Sequence, residues 1–227
     1  MSSFTTVQTK KNNMNTRFTA AEERWNSGTH AVGLVIGLIG FYFLFGINYN
    51  DTATTVGLSL NLFGMFASYF FSAVYHGCPP ESNRKLPLRK CDHAAIYWHI
   101  AGAYSSMTLP LLHHSNFPAL QLFSFVWLCA IVGTWLSFRQ LKQHSHLKTV
   151  SYVAMGLSVT VAIKPLADII TSEAMTWLIG EGVFYIVGAT FYSLYRRRYM
   201  HTVFHLMVIG GTVCHLIVVW HLLTQMA

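Results

Sequence analysis

Seven apolar stretches, each about 20 residues long, dominate the chain, near 30–48, 54–76, 92–112, 117–137, 149–168, 174–195 and 201–223. A helix rising about 1.5 Å per residue crosses a hydrocarbon core in that length. Formal charge enters these stretches only at Asp92, Lys164, Asp168 and Glu181. Strand-like alternation is absent, and glycine and proline are scattered as membrane helices tolerate. The sequence therefore predicts an all-α membrane protein, a seven-transmembrane helix bundle. Of its 227 residues 53% are hydrophobic and 10% charged. A soluble globular chain carries about 25% charged residues, so the composition argues against a soluble enzyme, a disordered protein or a secreted disulfide scaffold. Cys78, Cys91, Cys129 and Cys214 show no CxxC spacing, and no secretory signal is expected.

Basic residues set the expected orientation. Lys10, Lys11, Arg17 and Arg24 precede the first stretch. Arg84, Lys85, Arg89 and Lys90 fall between the second and third, Arg139, Lys142 and Lys148 between the fourth and fifth, and Arg196, Arg197 and Arg198 between the sixth and seventh. Fourteen of the fifteen lysines and arginines thus lie on one side. Lys164 alone falls opposite, beside Pro165, where its stem can snorkel. The positive-inside rule predicts a cytosolic N-terminus and an outer C-terminus. The net charge of +7 then reflects topology and contact with anionic lipid, with no nucleic-acid partner expected. Residues 1–21 are expected to form a disordered cytosolic tail, and residues 22–227 the membrane domain.

Polar groups in hydrocarbon are costly and mark cavities or sites. Asn61, Ser68, Ser72 and His76 share one face of the second helix, within about 80° at 100° per residue. Such a stripe also glues helices together, which suffices for Asn61 and Ser68. His201 and His205, at i and i+4, stand one turn apart on the last helix. Alone, the pair fits a metal clamp, a solvated helix end or a phosphate contact equally well. Topology adds a constraint: His76 ends helix two, Asp92 begins helix three, and the histidine pair begins helix seven, all at one membrane depth. Three imidazoles with a carboxylate and a serine predict a His₃ site for Zn²⁺ with the fourth position open to water. A competing set, His76, Cys78, Cys91 and His93, would make a closed Cys₂His₂ site around a proline-containing loop.

Ser72-x-x-x-His76, then Asp92-His93-Ala94-Ala95-Ile96, then His201-x-x-x-His205 resemble the hemolysin III proteins. Those stand with the progestin and adiponectin receptors in a wider group that includes the alkaline ceramidases. The opening Glu22-Glu23-Arg24-Trp25-Asn26-Ser27-Gly28-Thr29-His30 is similar to that family's first-helix signature, and the resemblance spans about residues 22–222. It implies a seven-helix bundle with zinc near the cytosolic face, held by His76, His201 and His205. It also implies a water-binding aspartate at Asp92 with Ser72 as the nearby hydroxyl. His99 and Glu181 stand where the family pattern leads us to expect an aliphatic and a small residue. Asn26 and His30 match the signature and are expected to cap helix one. His215 also matches, about 15 Å along the axis from His205 and so out of ligand reach.

The chemistry expected of such a centre is metal-assisted hydrolysis of a lipid amide or ester. Asp92 would act as general base and Ser72 as a donor to the developing oxyanion. Substrate would enter sideways from the lipids of a plasma (bacterial inner) membrane. A non-catalytic zinc stapling helices two and seven, in a receptor-like or lipid-sensing protein, needs the same ligands. A haemolytic factor, suggested by the family's name, fits less well with a resident multispan chain.

Overall fold

The computed structural model describes residues 18–49, 51–139, 146–194 and 197–227. Most of the expected tail, through Arg17, and Lys142, His144 and Arg196 of the basic connections, lie outside the described residues. Eight α-helices and one 3₁₀ segment account for the described secondary structure: α1 (Ala20–Phe45), α2 (Thr52–Gly77), α3 (Lys85–Thr108), α4 (Ala119–Arg139), α5 (His146–Gly156), the 3₁₀ turn Leu157–Ala162, α6 (Ile163–Ala167), α7 (Ser172–Ser193) and α8 (Met200–Met226). Among the described residues there is no strand.

Among the described residues, six spans are long and apolar enough to cross a membrane, not the seven expected: α1, α2, α4, Lys148–Ala167, α7 and α8. The helix expected at 92–112 does form, as α3, but it opens with Lys85, Arg89, Lys90 and Asp92 and is rich in Ser, His and Tyr. Its composition falls short because much of it faces protein instead of lipid: Ala94, Ala95, His99, Ala101, Ser105 and Ser106 are all buried. The first helix also begins ten residues earlier than the apolar pattern suggested. Thr19 accepts a hydrogen bond from the Glu22 amide, and the Glu22 carboxylate accepts from the Thr19 amide. This reciprocal pair satisfies two amides that a helix start leaves open. Asn26 and His30, expected to cap this helix, therefore lie inside it.

The bundle is inverted relative to a soluble protein. Val32, Val35, Ile39 and Tyr42 of α1 and Leu120, Leu128, Ile131 and Trp135 of α4 are exposed. Asn26, His30, Asn61, Ser72, Ser106, Thr212 and His215 are buried. Only a hydrocarbon surrounding makes that distribution favourable, since polar groups then find partners inside the protein.

Close backbone approach sets the register. α2 and α3 pack antiparallel at Gly64 and Gly102: a Cβ on Gly102 would lie 2.6 Å from the Leu60 carbonyl oxygen, and one on Gly64 would meet the Trp98 carbonyl. Small residues at helix contacts serve this purpose in membranes. α1 runs parallel to α8, as the pairings Asn26–Thr202 and Gly40–Leu216 establish. α7 runs antiparallel to α8, pairing Glu181 with His215 and Tyr185 with Gly211. The 3₁₀ break between α5 and α6 is bridged by the Tyr104 hydroxyl, which donates to the Gly156 carbonyl (2.7 Å) and accepts from the Val159 amide (2.7 Å). At the opposite end of α2, Asp51 caps the helix by accepting from the Ala53 and Thr54 amides and the Thr54 hydroxyl. The Thr54 hydroxyl above all holds this carboxyl below its ordinary range.

Overpacking a close helix contact typically costs about 1–3 kcal/mol. Gly102→Ala is therefore expected to lower the melting temperature of detergent-purified protein. Gly182→Ala, whose Cβ meets nothing within 4 Å, should leave it unchanged or raise it slightly. Equal melting of the two variants would contradict the α2–α3 packing described.

Candidate metal centre

Three buried imidazoles converge where α2 ends and α8 begins. His201 Nε2 stands 3.2 Å from His76 Nε2 and 3.1 Å from His205 Nε2. One ligand atom from each of the three lies within 4.8 Å of the others. Each position follows from local structure. His76 is in the last turn of α2, and the i, i+4 spacing of His201 and His205 stacks them on one face of α8.

The remaining nitrogens decide what this triangle can hold. His76 Nδ1 donates to the Glu23 carboxylate (2.5 Å) and His205 Nδ1 to the Asn26 carbonyl (3.0 Å). A neutral imidazole carries one N–H, so these bonds leave the Nε2 atoms of both rings as lone pairs aimed at the same point. His201 Nε2 lies at hydrogen-bond distance from both, and a neutral ring has at most one hydrogen there for the two contacts, so a cation or a further proton has to complete them. The donor set thus fits a divalent ion that accepts imidazole nitrogen, with three protein ligands. Nitrogen ligation from two helices further demands fixed ring orientations, and the hydrogen bonds at Nδ1 supply them.

A second layer braces the ligands. Glu23 bridges His76 and Lys85, whose ammonium lies 2.9 Å from Glu23 Oε1. Lys85 also donates to the Tyr75 carbonyl (2.8 Å) and the Cys78 carbonyl (3.0 Å). All three ammonium donors are used, on a carboxylate and on carbonyls that the end of α2 leaves open. Glu22 Oε1 accepts from the Tyr199 amide at 2.9 Å. That bond holds Tyr199, a non-glycine residue at φ 60°, as the turn into α8. Asn26 accepts from Thr202 through its side chain (2.6 Å), and Ser27 donates to the Ala73 carbonyl of α2 (2.8 Å). His30 lies flat against His205, ring centroids 3.5 Å apart, and Phe18 stacks on His201.

The other expected site residues divide. Ser72, one turn before His76, is buried, and its hydroxyl lies within electrostatic reach of Asp92. Asp92 lies within electrostatic reach of His76, Glu23 and Lys85 but does not belong to the three-histidine cluster. The competing set does not assemble: among the described residues, Cys78, Cys91 and His93 join no ligand cluster with His76. His215 is away from the centre, bonded to Ser106 and Glu181.

Comparison with known proteins matches this arrangement to one family. The family model described as "Haemolysin-III related" matches residues 18–216. The chain belongs to the haemolysin-III family. It is 30% identical over 198 residues to the hemolysin-3 homolog of Bacillus subtilis (strain 168), covering 86% of this chain and 91% of that protein. It is 29% identical over 193 residues to hemolysin-3 of Bacillus cereus, covering 84% and 87%. The human monocyte to macrophage differentiation factor is 25% identical over 215 residues, covering 89% of this chain and 84% of that one. With the six apolar spans, this makes the chain a multi-pass membrane protein of the haemolysin-III family.

Sequence reasoning missed Glu23, Lys85 and the role of Asn26, which meets His205 through its carbonyl instead of capping α1. A signal existed. Two carboxylates and an asparagine at the start of a membrane helix are costly unless each meets a partner, and Thr19-Ala20-Ala21-Glu22 reads as a capping box that pulls them into the helix. Losing such a carboxylate partner typically costs about 10–100-fold in metal affinity. Glu23→Ala is expected to weaken divalent-metal binding by that factor in a competitive chelator titration, with Glu23→Gln in between. Unchanged affinity in both would remove Glu23 from the centre.

Proposed function

We propose that this haemolysin-III protein is a zinc-dependent membrane hydrolase acting on a lipid amide or ester. The observation that carries the reading is the convergence of three buried Nε2 atoms, with Ser72 one turn before His76 and Asp92 within electrostatic reach of it. Nitrogen-only ligation with a position left open is commoner in catalytic zinc sites, while structural sites favour cysteine. When bound, zinc in a three-imidazole site supplies Lewis acidity that brings the deprotonation of water near neutral pH.

The chain's own groups then have distinct tasks. Asp92 orients the water and takes its proton on a carboxylate oxygen. Ser72 donates its hydroxyl to the substrate carbonyl oxygen as charge develops there. Glu23 holds His76 in the tautomer that offers Nε2. The apolar outer surface admits an acyl chain laterally, which suits a ceramide-like amide. Arg84, Lys85, Arg89, Lys90, Arg197 and Arg198 crowd the sequence around this end of the bundle, and the positive-inside rule puts it in the cytosolic leaflet of a plasma (bacterial inner) membrane. In that orientation the N-terminus is cytosolic and the C-terminus outside.

One observation favours a second reading. Through its ligands and their braces the centre ties α1, α2, α3 and α8 together, as a structural zinc in a receptor-like or lipid-sensing protein would. Metal analysis of detergent-purified protein is expected to find near-stoichiometric zinc, lost in His76→Ala and His205→Ala. Purified protein should hydrolyse ceramide or acyl-ester substrates, and Asp92→Ala should abolish turnover while retaining zinc. Zinc-loaded protein inert across a broad panel of lipid amides and esters would overturn the hydrolase in favour of the structural role.

A further inference from the structure

A second buried polar cluster lies deeper in the bundle, and the metal centre makes no use of it. His215 of α8 stands between Glu181 of α7 and Ser106 of α3: Nδ1 is 3.1 Å from Glu181 Oε2, and Nε2 is 3.0 Å from Ser106 Oγ. Ser106 is fully buried, and the Glu181 side chain is 13% exposed. Asn61 of α2 donates to Ser106 Oγ at 2.8 Å, and Ser106 donates to the Ala103 carbonyl at 2.9 Å.

The bond from Ser106 to the Ala103 carbonyl gives one hydrogen count for this cluster. A hydroxyl has one proton and two lone pairs. Ser106 gives its proton to the Ala103 carbonyl and one lone pair to Asn61. Its remaining lone pair then faces His215, and with that assignment His215 Nε2 carries a hydrogen. A neutral imidazole would then present Nδ1 as a bare lone pair to the carboxylate of Glu181, two acceptors at 3.1 Å. That contact is attractive only with a proton in it, whether carried as imidazolium or as carboxylic acid. Desolvation points the same way. A carboxylate beside a neutral histidine leaves a net negative charge in the bundle interior, whereas one added proton makes the pair neutral overall. The other titratable groups within electrostatic reach are His99 and Tyr104 of α3, Tyr185 of α7 and Cys214 of α8. None of them carries a fixed positive charge that could balance Glu181.

We propose that Glu181 and His215 form an intramembrane proton-binding site, in which one proton is shared between Glu181 Oε2 and His215 Nδ1 and the ring is anchored by Nε2–H on Ser106. The site is separate from the metal centre, about 15 Å from His205 along α8. It shares a helix face with the centre: His201, His205, Thr212 and His215 fall within about 80° of one another on α8. Thr212 and His99 lie on the same side, 3.4 Å apart, and Tyr69 lies 2.7 Å from Thr212. His99 and Glu181, the two residues that depart from the expected family pattern, thus both serve this interior network.

The test uses the full chain purified in detergent with ¹⁵N-labelled histidine, read by nitrogen NMR and by infrared spectroscopy. The expected result is either a His215 ring with both nitrogens protonated at neutral pH, or a protonated-carboxyl C=O band that disappears in Glu181→Gln. Ser106→Ala removes the partner of Nε2 and so assigns the His215 signal by its shift, which keeps the wild-type reading open should Glu181→Gln fail to accumulate. Zinc content is expected to be unchanged in both variants, so the outcome does not depend on the metal centre. The proposal is overturned if wild-type His215 shows one unprotonated nitrogen and no carboxyl band is lost. Ser106 would then be donating to His215, the arrangement in which the histidine acts as a base on the serine.

Discussion

Lipid offers no hydrogen bonds, and that constraint organises this molecule. Most polar groups drawn into the bundle are answered by another part of the chain, with the His30 ring nitrogens and the Asn26 amide nitrogen as exceptions. The answers run between helices: Glu23 of α1 to His76 of α2 and Lys85 of α3, Glu22 to the turn before α8, Asn26 to Thr202, and Glu181 to His215. The same partners that make burial tolerable fix the helices against one another. Function and fold therefore share residues here to an unusual degree. A change at Glu23 touches a histidine orientation and a helix contact together.

The two polar clusters use this constraint differently. At the end of the bundle, Nδ1 hydrogen bonds leave Nε2 lone pairs converging on one point, an arrangement that asks for a cation. In the interior, every lone pair around Ser106 is already met, an arrangement that asks for a proton. Histidine can do both because its two nitrogens are distinct, and the group bonded to one sets what the other offers. His205 against the Asn26 carbonyl and His215 against Glu181 are the same residue type on the same helix, read out in opposite ways by their neighbours.

Much of this was legible in the sequence, and for specific reasons. The spans were readable because hydrophobic length is a one-dimensional quantity, and the three-histidine cluster because alternating helices bring His76 and His201 to the same depth. What escaped was lateral. The apolar pattern placed the first helix ten residues late, since Glu22, Glu23 and Asn26 look like surface until Tyr199, Lys85 and Thr202 are seen beside them. α3 was counted with the apolar spans, although its composition is that of an interior helix flanked by protein. His99 and Glu181 looked like isolated oddities because their partners, Thr212 and His215, lie over a hundred and over thirty residues away in sequence.

The parallel pairing of α1 with α8 has a bearing on how the protein is made. The ring of histidines needs the brace from the first helix, one ligand from the second and two from the last. During synthesis the early segments must enter the bilayer with Glu23 and Asn26 still lacking part of their final company. Only the arrival of the terminal segment closes the circle. Any ion uptake at this position would therefore report completion: a chain cut short before its last helix can insert its earlier segments and still lack two of the three histidines.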